Sequence, residues 1–234
     1  MRMKNKKAEQ QDARQKHKAS LKAGKRQEPD LDRNEPTLST IPFILIVCEG
    51  ENTEKTYFDQ FRLSNAIVKT IGEGYNTLSL VERAVELASR KDYDQVWCVF
   101  DKDDFLENDF NKAIELAKSH NFGVGYSNQA FEYWIILHFN DHQGGGMHRK
   151  DYDKKINTIL SPYKCSYDGT GSKIITEEIF DLLEAKDAKT GKSRRSLACE
   201  RAKRIYALLP HKNPAKEESS TTVFMLVEEL AKYL

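Results

Sequence analysis

Long apolar runs are missing from this sequence of 234 residues, and cysteine is scarce. No run approaches the ~20 apolar residues of a membrane-spanning helix, and the basic N-terminal segment lacks the apolar region of a secretory signal. The four cysteines, Cys48, Cys98, Cys165 and Cys199, form no C-x-x-C pair and have no finger-like histidine spacing. That spacing excludes zinc-finger and disulfide frameworks. We therefore expect a cytoplasmic protein with reduced thiols and no membrane association.

A large net charge is also missing, since 37 basic and 36 acidic residues leave a formal charge of +1. The balance alone does not indicate nucleic-acid binding. The charge is unevenly distributed, because residues 1–27 hold ten Lys or Arg against Glu9 and Asp12 only. We expect residues 1–40 to form a disordered, flexible basic tail or at most a solvated helix. This tail would either bind nucleic acid or keep the protein soluble, and the sequence leaves both roles open.

Apolar runs of strand length alternate with helical patterns between residues 41 and 143. The strongest runs are Phe43–Cys48 and residues 96–100, whose continuous apolar character is typical of parallel strands covered on both faces. Weaker strands are predicted at residues 66–71 and 122–126, and helices at residues 53–61, 77–90, 111–120 and 130–139. This alternation predicts an α/β domain with a mostly parallel sheet flanked by helices.

Strand patterns stop after the glycines at residues 144–146. The remaining sequence has helical periodicity, and helices are predicted at residues 152–160, 174–185, 196–209 and 223–234. We therefore divide the chain into a basic tail (residues 1–40), an α/β domain (41–143) and a helical C-terminal region (144–234) that packs on the domain.

Acidic residues follow both strong strands. Glu49 comes directly after the first strand, and Asp101 and Asp103 follow the strand that ends at Phe100. If the strands are neighbours, the three carboxylates meet outside the carboxyl ends of the sheet, where ligands bind in open α/β folds. Mg²⁺ prefers such oxygen ligands and can orient a phosphate and activate water. Acidic residues are also common in turns and at helix starts, so a structural role is the alternative for each one alone.

The sequence resembles the RloB-like family in four blocks. The blocks read IVCEGENTE (residues 46–54), FDKDD (100–104), SN followed by FEYWIILHF (127–139), and NP followed by STTV and the final helix (213–234). The resemblance spans roughly residues 42–234. One departure is Gln129, which stands where the family usually has proline.

The RloB-like family is similar to Toprim proteins. The resemblance implies that Glu49 corresponds to the Toprim glutamate, which acts in acid–base chemistry or metal binding, and that Asp101 and Asp103 correspond to the metal-binding D-x-D. It further implies a Toprim-like fold, Mg²⁺ (or Mn²⁺) as cofactor, and an AAA-type ATPase encoded nearby in a bacterial defence or abortive-infection locus. The implied function is a metal-dependent nuclease acting on DNA or RNA. The alternative is a non-catalytic adaptor or nucleic-acid-binding module docked on the ATPase.

Other polar residues are secondary candidates. Glu132, near the start of a predicted apolar helix, would support catalysis as a further metal ligand or phosphate-site organiser, or would favour the helix dipole. Basic residues at the start of and along the helix predicted at residues 196–209 would contact nucleic-acid phosphates or form an ordinary solvated surface. The proposed nucleic-acid-binding residues are Arg194, Arg195, Arg201 and Arg204. The sequence leaves open the choice between DNA and RNA and the oligomeric state.

Overall fold

The computed structural model describes residues 3–23, 41–64, 66–72, 77–103, 107–142 and 146–234. The chain divides into two compact units, Met1–Thr40 and Ile41–Leu234. In the first unit, helix α1 spans Met3–Ala23, and residues 10–20 are all exposed. Lys, Gln, Arg and Ala are good helix formers, so this segment adopts the solvated-helix form of the expected basic tail. Residues 24–40 lie outside the described residues.

The second unit contains a four-stranded sheet in which all paired strands are parallel. The strands are β1 (Phe43–Cys48), β2 (Ile67–Gly72), β3 (Gln95–Asp101) and β4 (Gly123–Ser127). Their spatial order is β2-β1-β3-β4. The predicted α/β fold with a parallel sheet flanked by helices is therefore confirmed.

Eight α-helices belong to the described part of the second unit. They are α2 (Thr53–Asp59), α3 (Thr77–Arg90), α4 (Glu107–Ser119), α5 (Glu132–Phe139), α6 (Tyr152–Leu160), α7 (Glu177–Glu184), α8 (Arg194–Ala207) and α9 (Val223–Leu230). Short 3-10 helices cover Arg149–Asp151, Ser161–Tyr163, Pro214–Lys216 and Ala231–Tyr233. Among the helices that the structure describes, none combines the length and apolar character needed to cross a membrane.

The central strands of the sheet, β1 and β3, are covered on both faces. Alternate residues of β1 point to opposite faces, so that Ile44 and Ile46 join one core while Leu45 and Val47 join the other. Helices α3 and α4 cover the second face. Helices α2 and α5–α9 contribute to the first core, which therefore joins the sheet to the helical C-terminal region. Burial on both sides explains why the strands read as continuous apolar runs.

A C-terminal segment fixes the carboxyl end of β4. Ser127 forms an antiparallel bridge with Thr221, and the amide of Asn128 donates to the carbonyl of Ser220 at 2.7 Å. All four of these residues are buried. The segment therefore covers the edge strand and positions the turn that leads to α5, which lies at the same end of the sheet as Glu49.

Candidate active site

Glu49 and Asp101 are brought together by the register of two neighbouring strands. The last residue of β1, Cys48, pairs with Val99 of β3, and the amide of Glu49 donates to the carbonyl of Val99 at 2.8 Å. The amide of Asp101, at the end of β3, donates to Oε2 of Glu49 at 3.1 Å. Two predicted site residues thus make direct contact at the carboxyl end of the sheet.

The carboxylate of Asp101 is buried, and its two oxygens have different surroundings. Oδ2 accepts a hydrogen bond from the amide of Phe131 at 2.9 Å, which ties β3 to the start of α5. Oδ1 is also buried and has no hydrogen-bond partner among the described residues. A buried carboxylate oxygen in this state costs free energy unless a proton or a cation satisfies it. Asp101 therefore either carries a proton or is a candidate ligand for a cation.

The second aspartate of the D-x-D, Asp103, lies beside the segment that follows β4. Its amide donates to the carbonyl of Gln129 at 3.0 Å. Its φ angle of 44° lies in the left-handed region, which aspartate tolerates better than most residues. The carboxylate forms an ion pair with Arg149. Arg149 follows the glycines at residues 144–146 in the sequence. Its role at the site was not anticipated from the sequence.

Gln129 has a conformation that proline cannot adopt. Its φ angle is 89°, whereas the ring of proline holds φ near −65°. The Gln129 side chain donates to Oε1 of Glu218 at 2.7 Å, and the neighbouring Asn128 donates to the carbonyl of Pro214 at 2.7 Å. At this point the backbone of the chain therefore differs from that of a relative with proline, and both amide side chains anchor the C-terminal region.

Glu132 is the first residue of α5, and it faces the C-terminal region. Its Oε1 accepts a hydrogen bond from the hydroxyl of Tyr167 at 2.8 Å. The same hydroxyl lies 3.0 Å from Oγ1 of Thr53, the first residue of α2. Tyr167 thus joins the starts of two helices that border the acidic residues.

Glu54 is a further acidic residue at the site that the sequence analysis did not single out. It lies in the first turn of α2 and is 5% exposed. Its carboxylate packs against Gly50, where an added Cβ would lie 2.0 Å from Oε2 of Glu54. Glycine at position 50 therefore makes room for this carboxylate. One feature of the sequence could have indicated that Glu54 belongs to the site: it follows Glu49 by five residues within the same motif.

Burial and the charges of neighbouring carboxylates raise the pKa values of three carboxyl groups at this site, those of Glu49, Glu54 and Asp101. Burial is the main cause at Glu49 and Glu54, where it raises the pKa from 4.5 to about 7. The pKa of Asp101 is raised well above its ordinary value by burial and then by the charges of Glu54, Asp103 and Glu132. We refer to Glu49, Glu54, Asp101, Asp103 and Glu132 as the acidic cluster. Its charge is only partly neutralised by the protein.

The acidic cluster fits a hard divalent cation in its chemistry. Its donors are carboxylate oxygens, which Mg²⁺ and Mn²⁺ prefer, and Asp101 offers a buried oxygen without a partner. In the part of the chain that the structure describes, however, no three acidic, histidine or cysteine side chains are already arranged to hold a metal ion. Arg149 forms an ion pair with Oδ1 of Asp103, so metal binding through this oxygen requires a side-chain rearrangement.

A small polar cavity borders the acidic cluster. Its volume is about 70 Å³, and both acidic and basic side chains line it. The lining residues are Ala130, Glu132, Arg149, Tyr152, Asp153, Tyr167, Gly169 and Lys173. Most of these residues belong to the segment after residue 146, which therefore contributes to the site together with the sheet.

The four arginines proposed to bind nucleic acid all contact protein groups. The contacts are Arg194 with the carbonyl of Leu182 (2.9 Å) and the hydroxyl of Tyr163 (2.8 Å), Arg195 with Glu184 (2.6 Å), Arg201 with the carbonyl of Leu137 (2.7 Å), and Arg204 with Asp141. Arg194 is 5% exposed, which favours a packing role for this residue. The guanidinium of Arg194 also lies over the ring of Phe139, the last residue of α5. Arg201 and Arg204 likewise contact residues at or near the C-terminal end of α5, whereas Glu132 lies at its start. Nucleic-acid binding by these arginines stays a prediction.

The fold and the site define an α/β protein with a partly buried acidic cluster at the carboxyl ends of a parallel sheet. A family model described as "RloB-like protein" matches residues 44–230, most of the chain. The chain therefore belongs to the RloB-like family. No curated protein and no solved structure matches it.

Proposed function

We propose that this chain is a metal-dependent nuclease of the Toprim type, which cleaves phosphodiester bonds in DNA or RNA in bacterial anti-phage defence. The observation that carries the proposal is the contact between Glu49 and Asp101 beside Asp103, with a buried Asp101 oxygen that lacks a partner. Buried acidic groups whose pKa values are strongly perturbed are typical of functional sites. Membership of the RloB-like family supports the same function, through the similarity of that family to Toprim proteins.

The residues of the acidic cluster would have distinct roles. Asp101 and Asp103 would hold the metal ion, and Glu49 would serve as a third ligand or as the acid–base group. When bound, Mg²⁺ or Mn²⁺ would orient the phosphate and stabilise the charge on the leaving oxygen. A carboxyl group whose pKa is about 7, as at Glu49, can accept and return a proton near neutral pH. Glu132 would support the site through its hydrogen bond with Tyr167.

The proposal includes an AAA-type ATPase as partner, because the resemblance to the RloB-like family implies that one is encoded nearby in a bacterial defence locus. The ATPase would direct the nuclease to its substrate or activate cleavage. The isolated chain is therefore expected to cleave slowly, and activity should rise when the ATPase is added.

The test is cleavage of mixed DNA and RNA substrates with Mg²⁺ or Mn²⁺, with and without the ATPase. The double variant D101A/D103A should lose at least ~100-fold in rate, because it removes both proposed metal ligands. A matched control lies before the start of β3, where Asp92 and Asp94 form a second D-x-D on the surface; because Asp94 accepts a hydrogen bond from the amide of Phe43 at 2.7 Å, thermal melting checks that this control is folded. D92A/D94A should cleave at the wild-type rate. Cleavage that persists in D101A/D103A would contradict the proposal.

A second candidate function is a non-catalytic adaptor that docks on the ATPase or binds nucleic acid. The ion pair between Asp103 and Arg149 favours it, because this pair neutralises one carboxylate of the acidic cluster without a metal. An adaptor would show no cleavage under any condition, and D101A/D103A would still bind the ATPase and support defence.

A further inference from the structure

Arg149 is a basic residue that contacts the acidic cluster and neutralises part of its negative charge. It begins the 3-10 helix Arg149–Asp151, and its guanidinium forms an ion pair with Asp103. Both side chains are largely shielded from solvent, with 32% of Arg149 and 26% of Asp103 exposed. Asp101 and Glu132 also act on Arg149 through their charges. One cation thus faces three carboxylates of the acidic cluster.

The same arginine lines the cavity beside the cluster. Lys173 lines this cavity as well, so that two basic side chains border a polar space of about 70 Å³ next to the proposed metal ligands. The hydroxyl of Tyr167, another lining residue, is held in place by its contact with Glu132. Glu132 and Asp153 line the cavity too, and the ion pair of Arg149 with Asp103 connects the cavity to a proposed metal ligand. The donors of Arg149 and Lys173 would suit an anionic group placed between these two cations.

Arg149 contacts Oδ1 of Asp103. This oxygen cannot keep that ion pair unchanged and bind a metal ion at the same time. A divalent ion carries twice the charge of a guanidinium and attracts the carboxylates more strongly at equal distance. Once Asp103 binds the metal ion, the positively charged guanidinium of Arg149 would lie close to the positive charge of that ion. Its planar fork of donors would then be free for an anion, and phosphate is an anion that this fork matches in shape.

We propose that Arg149 exchanges partners during the reaction, from Asp103 in the metal-free chain to a phosphate of the nucleic-acid substrate in the metal-bound chain. The proposal rests on the proposed function, since it requires both the metal and a phosphodiester substrate. It makes Arg149 a competitor of the metal and a contact of the substrate. A purely structural ion pair would be neither.

The first test is Mn²⁺ binding measured by calorimetry without nucleic acid. In R149A the competing cation is gone, so Mn²⁺ should bind about threefold more tightly than to the wild type, the factor expected for one partly exposed ion pair. The control R62A removes an arginine whose ion pair with Glu177 lies on the surface, and it should leave Mn²⁺ affinity unchanged. Weaker Mn²⁺ binding by R149A would overturn the proposal.

The second test is the salt dependence of binding to a fluorescent single-stranded oligodeoxynucleotide, and to the RNA of the same sequence. Ca²⁺ replaces the catalytic metal in this test. Because Ca²⁺ also takes oxygen ligands but in a different geometry, we expect it to support binding of the oligonucleotide without cleavage. With Ca²⁺ present, the slope of log K against log salt should be smaller for R149A than for the wild type by about 0.7, the value for one lost phosphate contact. Without metal the two slopes should agree, because Arg149 is then held by Asp103. R62A should match the wild type in both conditions.

The outcomes separate failure of this inference from failure of the proposed function. A wild-type chain that binds no Mn²⁺ would overturn both. Mn²⁺ binding by the wild type with unchanged affinity in R149A, or equal salt slopes with Ca²⁺, would overturn the exchange of partners alone. Thermal melting checks that R149A is folded; if it is not, R149Q takes its place. R149K keeps the charge, so its salt slope with Ca²⁺ should stay near that of the wild type.

Discussion

At the residue scale, burial changes the protonation of carboxyl groups in the acidic cluster. Glu49 and Asp101 are placed by strand ends, while Glu54 reaches the same region from the first turn of α2 because position 50 is glycine. Removing these carboxylates from water disfavours their charged forms. Without a bound cation, the fold therefore favours protonation of groups that would be ionised in water at neutral pH.

Glu54→Gln provides a direct test of this electrostatic cost. The pKa of Glu54 is raised from 4.5 to about 7, mainly by burial, so between these pH values the folded chain binds more protons than the unfolded chain. The free energy of unfolding should therefore fall as the pH rises from about 4.5 through about 7. Glutamine carries no charge, so E54Q without metal should be more stable than the wild type by about 2 kcal/mol at pH 8 and by much less at pH 5.

Urea denaturation at both pH values measures this difference. The control is E115Q, which replaces an exposed glutamate on α4 and should change stability little at either pH. A stability change in E54Q that is the same at pH 5 and pH 8 would show that the charge of Glu54 is not the cause.

At the element scale, most of the fold was predictable because apolar periodicity determines it. Helices α3 and α6 have the predicted bounds, and the strands differ from prediction by about one residue. Helix α4 begins at Glu107, four residues before the predicted start, because its first turn is acidic and carries no apolar pattern until Phe110. Acidic residues favour a helix start through the helix dipole, a signal that apolar periodicity does not contain.

The site was predictable only where regular elements carry it. The contact between Glu49 and Asp101 follows from two neighbouring parallel strands. Arg149 and Tyr167 lie instead in a 3-10 helix and an irregular segment, and packing of the C-terminal region brings them to the cluster. No local pattern specifies such a contact, so neither residue could be identified from the sequence alone.

Thr222→Val tests how the C-terminal segment holds β4. The hydroxyl of Thr222 accepts a hydrogen bond from the amide of Tyr126 at 2.9 Å and donates one to the carbonyl of Val124 at 3.0 Å, both in buried surroundings. Valine has nearly the same shape but makes neither bond, so the free energy of unfolding should fall by about 2 kcal/mol. Urea denaturation measures the loss. T190V, at an exposed threonine, is the control, and an equal loss in both variants would contradict this role of Thr222.

At the scale of the whole molecule, residues far apart in sequence form one site. Glu49 and Asp101 come from the sheet, Glu132 from the helix after β4, and Arg149 and Tyr167 from the C-terminal region. All lie within the compact unit Ile41–Leu234, and one apolar core extends from the sheet to α9. The C-terminal region therefore supplies the positive charge that balances part of the acidic cluster.

The proposed nuclease function requires above all that the acidic cluster bind a divalent metal ion. The decisive measurement is calorimetric titration of Mn²⁺ into the wild type, D101N/D103N and D92N/D94N at neutral pH. We predict saturable binding to the wild type and to D92N/D94N, and at least ~10-fold weaker binding to D101N/D103N, because amides replace two charged ligands. Equal affinities in all three proteins, or no binding to the wild type, would contradict the account.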